Sequence, residues 1–444
     1  MLTALPTSNY PLTLSRSRWL RYVVFFYLYI MQGVPAGFSL TALANYLTAE
    51  GVSPSTIGSF AAVVGLPWAF QFIWGPLIDR YQNSSMGRRK PWVISAQCLA
   101  FLASLGLLFV RNPTTNVSTL AWFFFGHSIF AAVQDASVDA MAISVIPEAE
   151  RGRVNAFMRA GFLIGTGVGA AVFSQLLHTY GFFNAALFQS LCLLAFTVLT
   201  FFIRERPGER LLPSFKRQSV ESPSTQIARQ GTTPDHSFRW LFSELFKGLF
   251  ARRSVLLFGS VVAAYVSISL FMRAYNYHLI QKLGWADTSV SILTGTYGML
   301  VATGVALMGG YIADRISPRR LLVIVLAIVA VYLLSFNIMS ATWIQREVAQ
   351  TGLVALYFMD PGISVAAMPV LMAICRKGVE GSQFTTYMAF VNLSDIVGSF
   401  IAGHALTYVS APTIGLFAGG LAAVATVTIF FTVRHYTLRD TKSI

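Results

Sequence analysis

Apolar stretches of roughly 20 residues recur from one end of this chain to the other, and a stretch of that length crosses the hydrocarbon core of a bilayer as a helix. About twelve can be read off, near residues 20–44, 54–78, 92–110, 119–146, 153–177, 183–203, 254–281, 288–313, 321–342, 348–375, 383–409 and 412–433. Short polar breaks separate them. Composition agrees with this reading: 55% of the 444 residues are hydrophobic and 11% are charged, against roughly 25% charged in soluble proteins. Lipid offers the backbone no hydrogen bonds, so such segments must satisfy their own amides as helices. The expected class is an all-α polytopic membrane protein. The first run is too long for a signal-peptide core and has eleven more behind it, so it is expected to be a span.

A net charge of +14 could point to nucleic acid, but the basic residues are scattered over many short loops and not gathered on one face. With the N-terminus placed inside, alternate loops and the two tails collect them: Arg16, Arg18 and Arg21, then Arg80 and Arg88 to Lys90, Arg151 and Arg153, the segment 204–253, Arg315 with Arg319 and Arg320, Arg376 with Lys377, and Arg434, Arg439 and Lys442. Arg111, Lys282 and Arg346 are the basic residues left outside. This bias predicts that both termini are cytoplasmic, with the bilayer and a small-molecule solute as partners and no nucleic acid. Cys98, Cys192 and Cys375 fall in or at apolar runs with no metal-ligand or paired spacing, and are expected to serve packing.

The one sizeable polar interruption gives an organisation of residues 1–203, a central loop 204–253, and residues 254–444, six spans on either side. The middle of the loop is rich in Ser, Pro, Gln and Thr, the composition of disorder. Its end, FRWLFSELFKGLFARR, reads as an amphipathic helix on the membrane surface, the alternative being an early start to the seventh span.

The two halves share a pattern. GPLIDRYQNSSMGRRKPW, from Gly75, follows the second run, and GGYIADRISPRR, from Gly309, follows the eighth. Each places Asp-Arg at the end of a span with a basic pair shortly after, which marks an internal repeat of six-helix units. An Asp at a helix C-terminus opposes the helix dipole and calls for a partner. The pattern resembles the signature between the second and third helices of the major facilitator superfamily. The resemblance implies the major facilitator fold, with twelve helices in two pseudosymmetric halves. It also implies a cytoplasmic gate at Asp79, Arg80, Arg88, Arg89, Asp314, Arg315 and Arg319, made in one state and broken in another. QGVPAGF (32–38), VQDASVDAMAISVIPEAERG (133–152) and GRRKPW resemble, within that superfamily, the branch of muropeptide permeases, acetyl-CoA transporters and siderophore permeases.

Ionisable residues at bilayer depth are costly and usually functional. Asp135, Asp139, Asp360 and Asp395 fall inside spans, as do Arg159 and Arg273. Asp135 and Asp139 are four apart and share a helix face. Asp139 and Arg159 lie at similar depth on successive spans, so they are expected to pair, either as a structural tie or with one Asp left to take a proton. Gln32, Asp360 and Asp395 lie near the midplane, and Asp360-Pro361-Gly362 is expected to kink the tenth helix. The resemblance places the first, fourth, seventh and tenth helices around a cavity, and Gln32, Asp135, Asp139, Arg273, Tyr277 and Asp360 lie on those; Gln32, Arg273 and Tyr277, with Arg159 on the fifth, are the candidates for contact with solute. His127 and His404 rank lower, as packing groups. Gly161, Gly165, Gly167 and Gly169 predict close helix contact, without the proline that the resemblance would require of a drug antiporter.

The expected activity is secondary transport across the inner membrane by a monomer. The import of a polar or anionic solute of siderophore or muropeptide type would be coupled to protons, with no cofactor and no metal. Efflux and acyl-CoA transport are the alternatives within that class. An intramembrane protease would need a GxGD or HExxH motif, and neither occurs; a scaffold would give the buried charges no purpose.

Overall fold

The computed structural model describes residues 13–81, 84–147, 150–212, 238–313, 315–376 and 380–440. They form helices and connecting turns, with no strand among them. The crossing helices are α1 (Arg18–Ala49), α2 (Pro54–Ile73), α3 (Lys90–Phe109) and α4 (Val117–Val145). A continuous run, Arg151–Phe201, is broken at Gly181 into α5 and α6. Then follow α7 (Arg252–Lys282), α8 (Asp287–Gly309), α9 (Pro318–Ile338), α10 (Arg346–Ala373), α11 (Glu380–Ala405) and α12 (Ala411–Asp440). The twelve expected crossings are therefore present. Where the sequence suggests a loop of several residues between the fifth and sixth, the chain reverses on Gly181 alone, at φ 77°, a conformation glycine adopts without a side-chain clash.

Odd-numbered helices start, and even-numbered ones finish, at the end of the bundle that carries the Arg-rich turns, called here the basic end. Within the first six helices, Gly161, Gly165 and Gly169 of α5 lie so near the carbonyl oxygens of Phe26, Ile30 and Val34 on α1 that an added Cβ would overlap them. Gly167, on the other side of α5, meets the backbone of Gly295 on α8 in the same way. At a second crossing a Cβ on Gly58 of α2 would come within 2.9 Å of the Cα of Gly403 on α11. Small residues thus close both crossings between the first six and the last six helices. The last six also bury an aromatic group, Phe271, Tyr275, Phe336 and Trp343, with Tyr275 and Trp343 rings 4.8 Å apart.

Several helices are interrupted where polar residues must be aimed. Pro35 removes an amide from α1, and a wider π turn follows at Phe38–Leu43. Helix α2, with Pro67 inside, tightens into a 3-10 turn at Gln71–Ile73. In α10 the break falls at Tyr357 and Phe358, two residues before the expected site, so Asp360 stands in the first turn of the segment Met359–Ala373. A carboxylate is favourable there, and the missing amide of Pro361 leaves no hydrogen bond unmade.

Ahead of α7 the amphipathic segment is a helix of its own, Phe238–Leu249, separated from α7 by a turn. Its Glu244 pairs with Arg376 at the end of α10 (2.7 Å) and with Lys247 (2.8 Å), while Phe246 is exposed. The remainder of the central loop, 213–237, lies outside the described residues. The three cysteines are free thiols; Cys98 is on the surface of the bundle and not in its packing, whereas Cys192 and Cys375 are half-buried.

Candidate functional site

A polar cleft runs between the two sets of six helices. On the side of the first six, Asp139 accepts a hydrogen bond from the Tyr29 hydroxyl at 2.5 Å, and Asp135 accepts one from the Gln71 side-chain amide. Gln32, one turn above Tyr29 on α1, is buried with its Nε2 facing Asp135 but outside full hydrogen-bond geometry. The donors to both carboxylates are neutral groups. The turn at Gln71–Ile73 brings Gln71 to α4, since a straight α2 would carry it along a different face.

Arg159 does not pair with Asp139. It reaches across the cleft to Asp360 on α10, Nη2 to Oδ2 at 2.8 Å. The expected pairing rested on depth alone; rotation about the helix axis decides, and α5 turns its Gly161–Gly165–Gly169 face to α1 while Arg159 points between the two sets. Both side chains remain open to solvent, at 41% and 51%.

The last six helices supply a second chain of contacts. Ser269 on α7 donates to Asp395 Oδ1 (2.8 Å), and its hydroxyl meets that of Ser399 (3.1 Å). Ser399 accepts from Arg273 Nε (3.1 Å), and Arg273 Nη1 donates to the Leu40 carbonyl in the π turn of α1 (2.5 Å). Arg273 and Tyr277 face a cavity of about 30 Å³ shared with Asn45 and Asn276, at the end of the bundle opposite the basic one. His127 is buried against the Ala100 carbonyl (3.1 Å) and His404 bonds the Phe400 carbonyl of its own helix (2.9 Å).

That opposite end is closed. His178 on α5 contacts both oxygens of Asp287 at the start of α8, 3.0 and 2.8 Å. Asn45 donates to Ser291 (3.0 Å), and the Gln281 amide reaches the Thr48 carbonyl.

At the basic end the described part of the expected gate is Arg88, Arg89, Arg315 and Arg319; the side chains of Asp79 and Arg80, and Asp314 altogether, lie outside the described residues. The turn before α3 is held by Glu205, 1% exposed, whose Oε1 accepts the amides of Arg89 (2.8 Å) and Lys90 (2.6 Å). Arg21 binds Glu150 (2.7 Å) and the Leu14 carbonyl (2.7 Å). Tyr29, Gln71, Ser269, Ser399, Glu205, His178 and Asp287 were not singled out in the sequence. For Tyr29 and Ser399 the spacing carried a signal: they stand three residues from Gln32 and four from Asp395, on the same helix faces.

The profile of the Major Facilitator Superfamily matches residues 23–379 and, in a second alignment, 257–443. The chain belongs to that superfamily. Among curated members, this facilitator is 24% identical over 382 residues to the anhydromuropeptide permease of Escherichia coli (strain K12), across 84% of this chain and 72% of that one. It is 25% identical over 150 residues to a Rickettsia prowazekii (strain Madrid E) protein named as transporter AmpG 1, across 31% and 33% of the two chains. The expected branch is thereby met. Solved structures share the facilitator's fold: a point mutant of the nucleoside transporter NupG, with TM-score 0.65 and 14% identity over 93% of this chain and 99% of that one, and a POT family transporter in complex with a thioalcohol-conjugated peptide, with TM-score 0.68 and 10% identity over 93% and 96%.

Proposed function

We propose that this facilitator imports a polar, carboxylate-bearing solute of the muropeptide class across the inner membrane by alternating access, with the basic end cytoplasmic, and that protons drive it through Asp135 and Asp139. The carboxylate pair carries the reading. Two acids stand one turn apart on α4, and the hydrogen bonds they accept come from neutral Tyr29 and Gln71. An ionisable pair at bilayer depth is costly to keep unless it has a task, and two acids on one helix face, with neutral partners, suit the taking up and release of a proton. The resemblance to a named anhydromuropeptide permease supports the solute class.

The test uses proteoliposomes and a radiolabelled anhydromuropeptide. Asp135→Asn and Asp139→Asn each fix one site in a neutral, proton-loaded form. Downhill exchange of solute should survive in the variant that removes the coupling site, because the loaded carrier still moves between states, while accumulation against a gradient should be lost. Normal accumulation by both variants would sink the assignment and turn attention to Asp360 and Asp395.

A further inference from the structure

Among the described residues, Arg273 and Arg159 both reach from one set of six helices to the other, with different commitments. Arg273 donates to the Ser399 hydroxyl and to the Leu40 carbonyl, and so is built into the closed end. Arg159 is held by one carboxylate, through one of its nitrogens, and its side chain stays 41% exposed. An ion pair open to solvent on both sides contributes little and exchanges readily.

We propose that Arg159 is the carboxylate-binding residue of the cleft, and that Asp360 occupies its guanidinium until a carboxylate of the solute replaces it. The fork of a guanidinium matches a carboxylate through two parallel N–H donors, and Asp360 engages Nη2 alone. The Phe162 ring lies 5.9 Å from the guanidinium carbon on the same helix and restricts its sweep. The ligand implied is a polar molecule with at least one free carboxylate. Because Asp360 belongs to the other six helices, its displacement removes a tie between the halves at the moment the solute binds. Binding energy is thereby connected to the change of state, as a ligand that shifts an equilibrium must interact differently with its two ends.

The solute class rests on the function proposed above, so the test has one arm that depends on it and one that does not. In the first, binding of an anhydromuropeptide is measured with its carboxyl groups free or converted to amides. Asp360→Asn removes the competitor and should tighten the free acid by about tenfold, with little change for the amide; Arg159→Gln should abolish the preference for the acid. Equal or weaker binding of the acid to Asp360→Asn would overturn the proposal. In the second arm Asp360→Cys is made in a background without the three native thiols. Anionic sulfonatoethyl and cationic trimethylammonioethyl methanethiosulfonates then compete for the new thiol. The anionic reagent should react faster, the preference should vanish with Arg159→Gln and return with Arg159→Lys, which restores the charge if Gln harms folding. A cationic preference, or one indifferent to position 159, would reject Arg159 as an anion site whichever solute the protein carries. If neither peptide binds while the reagents behave as expected, the solute class fails and the anion site stands.

Discussion

At residue scale the basic end shows how one side chain can organise a junction. Glu205 accepts the first amides of α3 and therefore stabilises the start of a helix whose opening residues, Arg89 and Lys90, are cationic where the helix dipole favours an anion. Its neighbour Glu209 accepts the Glu205 amide (2.8 Å), and burial raises its pKa from the ordinary value to about 7, with the charge of Glu205 adding to the effect. A carboxyl whose folded-state pKa is raised contributes stability that is full below its unfolded value and declines as pH rises towards the folded value. The junction should therefore loosen between about pH 4.5 and 7. Hydrogen exchange at the Glu205 and Lys90 amides should accelerate across that window in the parent protein, and Glu209→Gln should flatten the response. An unchanged profile in the variant would remove Glu209 as the source.

At the scale of elements, α5 is the helix on which both halves depend. Three of its glycines admit α1 and a fourth admits α8. Gly165→Leu should force α1 away and lower thermal stability by about 1–3 kcal/mol, the usual cost of an overpacked contact, with a corresponding fall in yield. Gly167→Leu separates α5 from α8 and should spare packing within the first six helices while disturbing the closed end, visible as faster alkylation of a cysteine placed at Ser291. Equal effects of both substitutions on the two readouts would show that the faces are not independent. These faces were legible in the sequence because glycines at spacings of four mark a helix stripe. Which stripe met which neighbour was not. The same limit explains Arg159: depth follows from counting residues along a span, but azimuth depends on packing, so its partner across the cleft was out of reach. The break in α10 was foreseen to within a turn, since proline and glycine act locally. Gln71 was missed although prolines flank its 3-10 turn: Pro67 lies in the helix before it, and Pro76 has no amide to give the Phe72 carbonyl.

Taken as a whole, the molecule is closed at one end by contacts made across the halves. Asp287 is 4% exposed with its carboxylate on His178, and like Asn45–Ser291 that contact must part before the opposite end can open. Asp287→Asn should weaken the closure and raise the rate at which a cysteine at Ser291 is alkylated by an impermeant reagent, by about three- to tenfold for a tie of this kind. A rate equal to the parent's would mean that the glycine crossings, Gly58 with Gly403 and Gly167 with Gly295, hold the end shut without help. The twelve-helix class and the repeat could be read from apolar runs and from paired Asp-Arg motifs, because both are properties of sequence order. The closed end could not, for its members are isolated polar residues 109 to 246 positions apart.

The junction at the basic end also bears on how the protein is made. Leu14 and Ser15 donate to the carbonyls of Arg204 and Glu205 (3.0 and 2.9 Å), and Arg210 donates to Ser85 (2.9 Å). Three stretches of chain made early, midway and late in the synthesis of the first six helices meet at one point. A nascent chain that has emerged only as far as Phe201 has all six spans but lacks the carboxylate that caps α3 and the backbone that secures the start of α1. Its rim stays unfinished until about nine more residues leave the ribosome. During that interval the starts of α1 and α3 both lack the bonds that hold them in the finished protein.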